Sequence, residues 1–419
     1  MGRPRGLGRS SGHFVLAASA ALALSVSAAC RPQPAAPSAS RTTLAPATAS
    51  PPSQDGERFE FPEATSSPLP LSAVATELAP FIDQCARGDG ALSRVAERFA
   101  RRQSRGEGPL DASELSFAVH AEGSPYLGPH AWTLRASQMP NDAVERLSAW
   151  LGTFGDGGER RCGVALVHGS GETVLCAVAI DALADLEPVT VRRPSGSWVE
   201  VDAHLLVEAN AAKVIVLGPS GAPFAVPTTF DGRRARARFR ADRPGAFLIQ
   251  LLASVVGGPR PVLEATVYAD VSPPSAYSVE PAPGEPATAQ PADSDAAGAL
   301  FGMINRAREQ ERLGRLERDP ELDVIAERHA QAMRRLQRIA HDAGDGDPQS
   351  RLDAAQLHAL AGENVAHALD ATLAHRLLWA SPSHRDNLLD PRFDRIGIGA
   401  VRDDDGTLWV CELFADFVN

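Results

Sequence analysis

Hydrophobic positions along the 419-residue chain fall into blocks of different period. The first is a continuous apolar run from Phe14 to Ala29, preceded by Arg3, Arg5 and Arg9. It falls short of the roughly 20 residues that a membrane-spanning helix needs. Its small final residues suit a signal peptidase, so residues 1–29 are predicted to be an export signal. From 68 to 184 the period is helical in Leu71–Pro80, Leu92–Arg102 and Ala143–Leu151, and then gives way to two apolar runs around His168-Gly-Ser-Gly171. That predicts an α+β unit ending in a hairpin.

From 185 to 272 the period is two. In Arg234–Arg240, Ala235, Ala237 and Phe239 face one way and Arg234, Arg236, Arg238 and Arg240 the other. Turn signals at Pro219-Ser-Gly, Phe230-Asp-Gly and Arg243-Pro-Gly divide the segment into short strands. The prediction is an all-β sandwich of roughly immunoglobulin size. The last block, 298–419, opens with a helix from Leu300 to Leu313 closed by Gly314. Asp319-Pro320-Glu321 then supplies a cap, a first-turn proline and an acid at the positive end of a second helix. Leu322, Ala326, Met333 and Leu336 form its stripe, and His341 ends it. A third helix, Ala371–Ala380, precedes the terminal hairpin of Ile396–Val401 and Leu408–Phe414. The fold class is therefore multidomain α+β, with α-β-α layering at the C-terminus.

Composition refines this order. Proline, alanine and serine dominate 30–67 and 273–297, which read as a tether and a linker with little to bury. With 41 basic against 52 acidic side chains the net charge is -11, which argues against nucleic acid as a partner. The arginine stripe reads as the solvated face of one strand. Lys213 is the single lysine in the chain, a bias of coding rather than a phosphate-binding device.

Cys30 directly follows Ser27-Ala28-Ala29, where a lipid-modified cysteine would stand after signal cleavage. Ser27 departs from the Leu or Val that a bacterial lipobox prefers, so a plain secreted protein is the alternative to an outer-membrane or cell-surface lipoprotein. Export permits disulfides. Among Cys85, Cys162, Cys176 and Cys411, the hairpin favours a bridge between Cys162 and Cys176. The alternative ties Cys85 to the hairpin, and the spacing does not choose between them.

His341, Glu363 and His384 stand just outside apolar runs, on separate segments that a compact unit could bring together. Two imidazoles and a carboxylate are a ligand set for zinc or another divalent cation, and Glu363 is the candidate base. His329, on the apolar stripe of its helix, reads as a satisfied core histidine. No nucleophile elbow and no HExxH helix occur in the sequence.

These residues, with Asn305-Arg-Ala-Arg308, Ala361-Gly-Glu-Asn-Val365, Ser381-Pro-Ser-His-Arg-Asp-Asn-Leu388 and Trp409–Phe414, resemble the CAP superfamily of cysteine-rich secretory, antigen 5 and pathogenesis-related 1 proteins, over about 298–418. The resemblance implies an α-β-α sandwich and a cleft with a tetrad of two His and two Glu, which binds divalent metal in some members. His341, Glu363 and His384 match three of those positions. His375–Ala380 holds no second glutamate, which puts a four-group catalytic arrangement in doubt. Cys162–Val167 and Gly171–Ala179 also align in order with Ile396–Val401 and Gly406–Phe414. Either 68–184 is a degenerate CAP-like repeat, with His120 as a relic of its cleft, or two hairpins match by chance. The expected function is binding of a cell-surface, lipid or protein ligand through the C-terminal cleft, with the membrane reached through a lipidated Cys30. A metal-assisted hydrolase and an envelope scaffold are the alternatives.

Overall fold

Asp89 and Asp319 begin two helices in the same way. Asp89 Oδ1 accepts from the Ala91 and Leu92 amides at 2.8 and 3.1 Å, and Asp319 Oδ1 from Glu321 and Leu322 at 2.9 and 3.3 Å. Each satisfies amides that a helix N-terminus leaves unpaired. The backbone N–H of each also donates to a strand carbonyl at 3.0 Å, Asp89 to Cys162 and Asp319 to Ile396. A helix is thereby fixed over a hairpin twice in one chain.

The computed structural model describes residues 58–68, 76–108, 111–155, 157–169, 171–256, 258–286 and 295–417. The expected export signal, Cys30, most of the 30–67 tether and the start of the Leu71 helix lie outside the described residues. All that is described falls within one compact unit, Asp55–Asn419. Among the described residues no helix is long and apolar enough to cross a membrane.

The first region runs β1 (Arg87–Gly88), α1 (Gly90–Ser104), α2 (Ala112–Ala121), β2 (His130–Ala136), α3 (Ala143–Leu151), β3 (Glu159–His168) and β4 (Thr173–Ala182). Its sheet has the order β1-β3-β4-β2, with β1 parallel to β3 and the other pairs antiparallel. Leu92, Val95 and Ala96 of α1 are buried against Ala165, Val178 and Ile180 of the sheet. A Cβ on Gly163 would lie 2.0 Å from the Ser93 nitrogen, so only glycine lets α1 approach β3 this closely.

The middle region comprises β5 (Ala184–Leu186), β6 (Arg192–Arg193), β7 (Ser197–Leu205), β8 (Ala211–Leu217), β9 (Phe224–Val226), β10 (Thr228–Phe230), β11 (Arg234–Ala241), β12 (Gly245–Val255) and β13 (Gly258–Ala269). Two sheets, β9-β8-β12-β13-β6 and β10-β11-β7-β5, share one core that includes Val199, Val201, Phe239, Phe247, Leu251 and Val267. The arginines of β11 point away from that core, as their period predicts. They meet the acids of neighbouring β7: Arg234 and Arg236 lie 2.6 and 3.3 Å from Asp202, and Arg238 3.9 Å from Glu200.

The C-terminal region runs α4 (Ala296–Gln310), β14 (Glu317–Arg318), α5 (Pro320–Leu336), α6 (Pro348–Ala354), β15 (Ala359–Ala368), α7 (Ala371–Ala380), α8 (Pro382–Leu389), β16 (Arg395–Arg402) and β17 (Leu408–Phe417). Its sheet, β14-β16-β17-β15, repeats the order and the strand directions of the first. Leu322, Ala326 and Met333 of α5 share a core with Trp409, Cys411 and Leu413 of β17. A Cβ on Gly397 would meet the Leu322 carbonyl carbon at 2.1 Å, the counterpart of Gly163. Helix α8 has no equivalent in the first region.

Three expectations need correction. The disulfide joins Cys85 to Cys162, with Cα atoms 5.6 Å apart, while Cys176 and Cys411 are free and buried. The hairpin register explains why Cys162 and Cys176 are not bridged: Cys162 opposes Ala179 and Cys176 opposes Ala165. Cys162 packs on the face carrying α3 and Cys176 on the face carrying α1, so their side chains leave the sheet on opposite sides. Second, α5 ends at Leu336, where Gln337 turns left-handed with φ 50°, and His341 stands on the loop beyond. Third, the described parts of the 30–67 tether and of the 273–297 linker are docked: Phe59 is buried in the core under the first sheet, and Ala64 and Thr65 pair with Thr190 and Val189. Pro283 O accepts from His375 Nε2 at 2.8 Å, and Glu285 pairs with Arg376 at 2.5 Å.

Candidate functional site

Four elements of the C-terminal region bring the site together. His341 comes from the loop after α5, Arg351 from α6, Glu363 from β15 and His384 from α8. Proline stands at the start of α6 and of α8, each directly after Asp347 or Ser381. The first two residues of α8 thus set where His384 stands, and the Asp347 cap, accepting the Ser350 amide at 2.7 Å, sets Arg351.

Glu363 is the centre. Its side chain is about 1% exposed. Oε1 accepts from His341 Nδ1 at 2.8 Å, and Oε2 accepts from Arg351 and from the Cys411 thiol, the latter at 3.3 Å. Arg351 is built in as firmly, because its Nη1 donates to the carbonyls of His341 and Gly346 at 3.1 and 3.0 Å. Behind it His329, fully buried, donates from Nε2 to the Ala340 carbonyl at 2.9 Å and has Nδ1 3.0 Å from Asp345. The histidine read as core is therefore core, and it also braces this ion pair.

A second network holds the His384 segment. Asn364 Nδ2 donates to the His384 carbonyl at 3.1 Å and to Glu412 Oε2 at 3.0 Å, and Asn387 Nδ2 donates to the Glu363 carbonyl at 3.0 Å. Burial, with the charge of His341 nearby, pushes the His384 imidazole down to about 4, so it is neutral at pH 7. Burial likewise pushes Glu412 up to about 7 and the Cys411 thiol well above its ordinary value.

His341, Glu363 and His384 line one cavity of about 420 Å³. Its opposite wall is formed by the middle region, from Lys213, Ile215, Leu252, Pro259 and Pro261. Contact across it is close: a Cβ on Gly258, at φ 110°, would lie 3.3 Å from His341 Cβ. The regions are joined by Gln250, whose Nε2 donates to Ser381 Oγ at 3.2 Å and whose Oε1 accepts the Ser383 amide at 3.0 Å. Lys213 lies 3.8 Å from Asp386 at the edge.

The sequence-predicted trio is thus brought to one cavity. Among the described residues, however, no three His, Cys, Asp or Glu side chains are grouped as ligands of an ion would be. The reason is local, since Arg351 and His341 hold both oxygens of Glu363. In this arrangement the residues do not fit a divalent ion. His120 is elsewhere, on α2, with Nε2 donating to the Tyr126 carbonyl at 3.1 Å. Sequence reasoning misses Arg351 and Gln250, which no motif marks, and gives no role to Asn364 and Asn387, which lie inside the Ala361–Val365 and Ser381–Leu388 motifs.

Residues 301–413 match the model of the CAP, cysteine-rich secretory protein, family. The C-terminal region is a CAP domain. No curated protein matches the chain. An outer surface protein of Borrelia burgdorferi is similar at 22% identity over 30% of this chain and 95% of that one, with a TM-score of 0.29. An extracellular protein containing an SCP domain from Bacillus anthracis is 16% identical over 56% of this chain and 86% of that one, with a TM-score of 0.27. A cysteine-rich secretory protein of Staphylococcus aureus is 13% identical over 65% and 89% respectively, with a TM-score of 0.26.

Proposed function

We propose that this is an exported CAP-domain protein that binds a cell-surface, lipid or protein ligand in the cavity of its C-terminal domain. Residues 185–272, as a β-sandwich domain, supply the second wall of that cavity. The observation that carries the reading is the shared lining: CAP residues His341, Glu363 and His384 face Ile215, Leu252 and Pro259 across about 420 Å³. That volume lies within the roughly 300–1,000 Å³ of small-ligand sites, and the lining sets apolar Ile215, Leu252, Pro259 and Pro261 against polar groups of the CAP side.

Binding fits this geometry better than catalysis does. A general base must reach a substrate proton, and neither oxygen of Glu363 is free to do so. The nearby Cys411 thiol is fully buried and held protonated, which denies it a nucleophile's role. Metal-assisted hydrolysis would first require Arg351 to leave Glu363. The first region, with the same strand order but no α8 and no histidine pair, is a degenerate CAP-like repeat in this reading. A lipid on Cys30 and the proline-rich stretch after it would hold the molecule at a membrane, and the mass of the mature N-terminus tests that part.

The test of the cavity is native mass spectrometry of the mature chain after incubation with a bacterial membrane lipid extract and, separately, with solubilised envelope protein. Wild type should retain a bound mass, and Ala361→Trp, which fills the cavity from β15, should not. Bound ligand should also slow acetylation of Lys213, a clean reporter because the chain has no other lysine. Equal retention by both proteins, or turnover of an ester or peptide substrate lost in His341→Ala, would reject the reading.

A further inference from the structure

An ionised carboxylate buried as deeply as Glu363 needs a cation in contact, because neither desolvation nor a single imidazole hydrogen bond compensates it. A divalent ion is one solution. The structure contains the other. Arg351 is itself nearly buried, with its side chain 6% exposed, and it meets Glu363 Oε2 directly. Two backbone carbonyls, of His341 and Gly346, fix its Nη1, so the guanidinium is no surface arm that could swing away. A guanidinium keeps its charge across the whole physiological range. An ion entering between His341 and Glu363 Oε1 would have to share the carboxylate with Arg351, which holds Oε2, and would be repelled by its charge.

We propose that Arg351 is the resident cation of this cleft. It takes the charge-compensating place beside Glu363 that a divalent ion would take, and so makes the cleft independent of metal. Through Glu363 it also acts as a positioning residue for His341. Glu363 accepts the His341 Nδ1 proton at 2.8 Å, which leaves Nε2 as the ring nitrogen to meet a ligand. The cavity is thereby set to receive a ligand that bonds His341 Nε2 through a hydroxyl. His384 adds a second imidazole to the same lining. The ligand class deepens the binding reading above, whereas the roles of Arg351 toward metal and tautomer are measured with no ligand present and fail or succeed separately from it.

The test uses the mature full-length chain and two readouts. Calorimetric titration with zinc chloride and manganese chloride, backed by elemental analysis, should show no saturable binding to wild type that His341→Ala removes. Arg351→Gln should gain a site at least tenfold tighter than any in wild type, and Arg351→Gln combined with Glu363→Gln should lose it. Stoichiometric, His341-dependent metal binding by wild type would overturn the proposal, as would a folded Arg351→Gln protein that binds no ion. The second readout is the nitrogen NMR signature of the His341 ring. Wild type and Arg351→Lys should carry the neutral-state proton on Nδ1, and Arg351→Gln should show mixed tautomers. An unchanged Nδ1 signature in Arg351→Gln, or an Nε2 proton in wild type, would remove the positioning role. Should Arg351→Gln fail to fold, the wild-type and Arg351→Lys measurements still decide.

Discussion

Glu412 is a carboxyl of the site whose ionisation burial makes costly. It is fully buried, its Oε2 accepts from Asn364, and no described group reaches Oε1. Burial pushes its carboxyl from 4.5 up to about 7. A carboxyl raised in the folded state binds its proton more tightly there, so its contribution to stability is full below about pH 4.5 and is lost as pH rises through about 7. Glu412→Gln copies the protonated form and escapes that loss. Relative to wild type it should gain up to about 3 kcal/mol between pH 4.5 and pH 8, because each tenfold change in proton affinity is worth ~1.4 kcal/mol. Urea unfolding of both proteins at pH 5 and pH 8 measures the difference, and parallel pH dependences would contradict it. Glu264, also raised to about 7, cancels in the comparison. None of this was legible in the chain, where Glu412 sits in a run of apolar residues on β17. His341, Glu363 and His384 were legible because each lies in a short motif with a family likeness. Arg351 was not, since its partner is on another element and its own helix of seven residues carries no periodic signal.

At the level of elements, the order of helices and strands could be read from period alone, and pairing across them could not. The hairpin of β3 and β4 was predicted, yet its register, with His168 opposite Thr173, decides which cysteine faces which layer. One residue of offset moves a side chain to the other face. The cap at Asp319 was legible, whereas its counterpart Asp89 and the close approach at Gly163 and Gly397 emerge only in the structure. The Cys85–Cys162 bridge closes a separation of 77 residues and ties the turn Ala79–Ile82 region to β3. Cross-linking so long a loop removes denatured-state entropy, so Cys85→Ala should destabilise by about 2–4 kcal/mol. Cys176→Ala removes only a buried thiol beside Phe99 and should cost about 1 kcal/mol or less. Guanidinium unfolding under non-reducing conditions gives both values, and a larger loss for Cys176→Ala would mean that the bridge had been assigned to the wrong cysteines.

In the whole molecule, the cavity depends on how the middle and C-terminal regions hold together, which no local sequence pattern encodes. The join is polar and small in number of bonds: Gln250 to Ser381 and Ser383, and Lys213 to Asp386 at 3.8 Å. Lys213 and Asp386 are each near half exposed, so solvent screens their pair and it contributes little. Gln250 is different, being buried and engaged at both ends of its amide, with Glu264 as a third partner at 2.5 Å. Removing it leaves the Ser383 amide and the Glu264 carboxyl without their bonds, at a cost of roughly 1–1.5 kcal/mol for each buried hydrogen bond lost. A loss of about 1.4 kcal/mol from the closed state raises the population of local opening about tenfold, and amide exchange reports that population directly. Gln250→Ala should therefore speed hydrogen exchange across 381–389 by roughly tenfold, because the first turn of α8 loses its anchor on β12. Exchange in α1, which shares no contact with this join, should not change. If 381–389 exchanged at the wild-type rate, the wall would hold without Gln250, and closure of the cavity would have to rest on the close approach of Gly258 to His341.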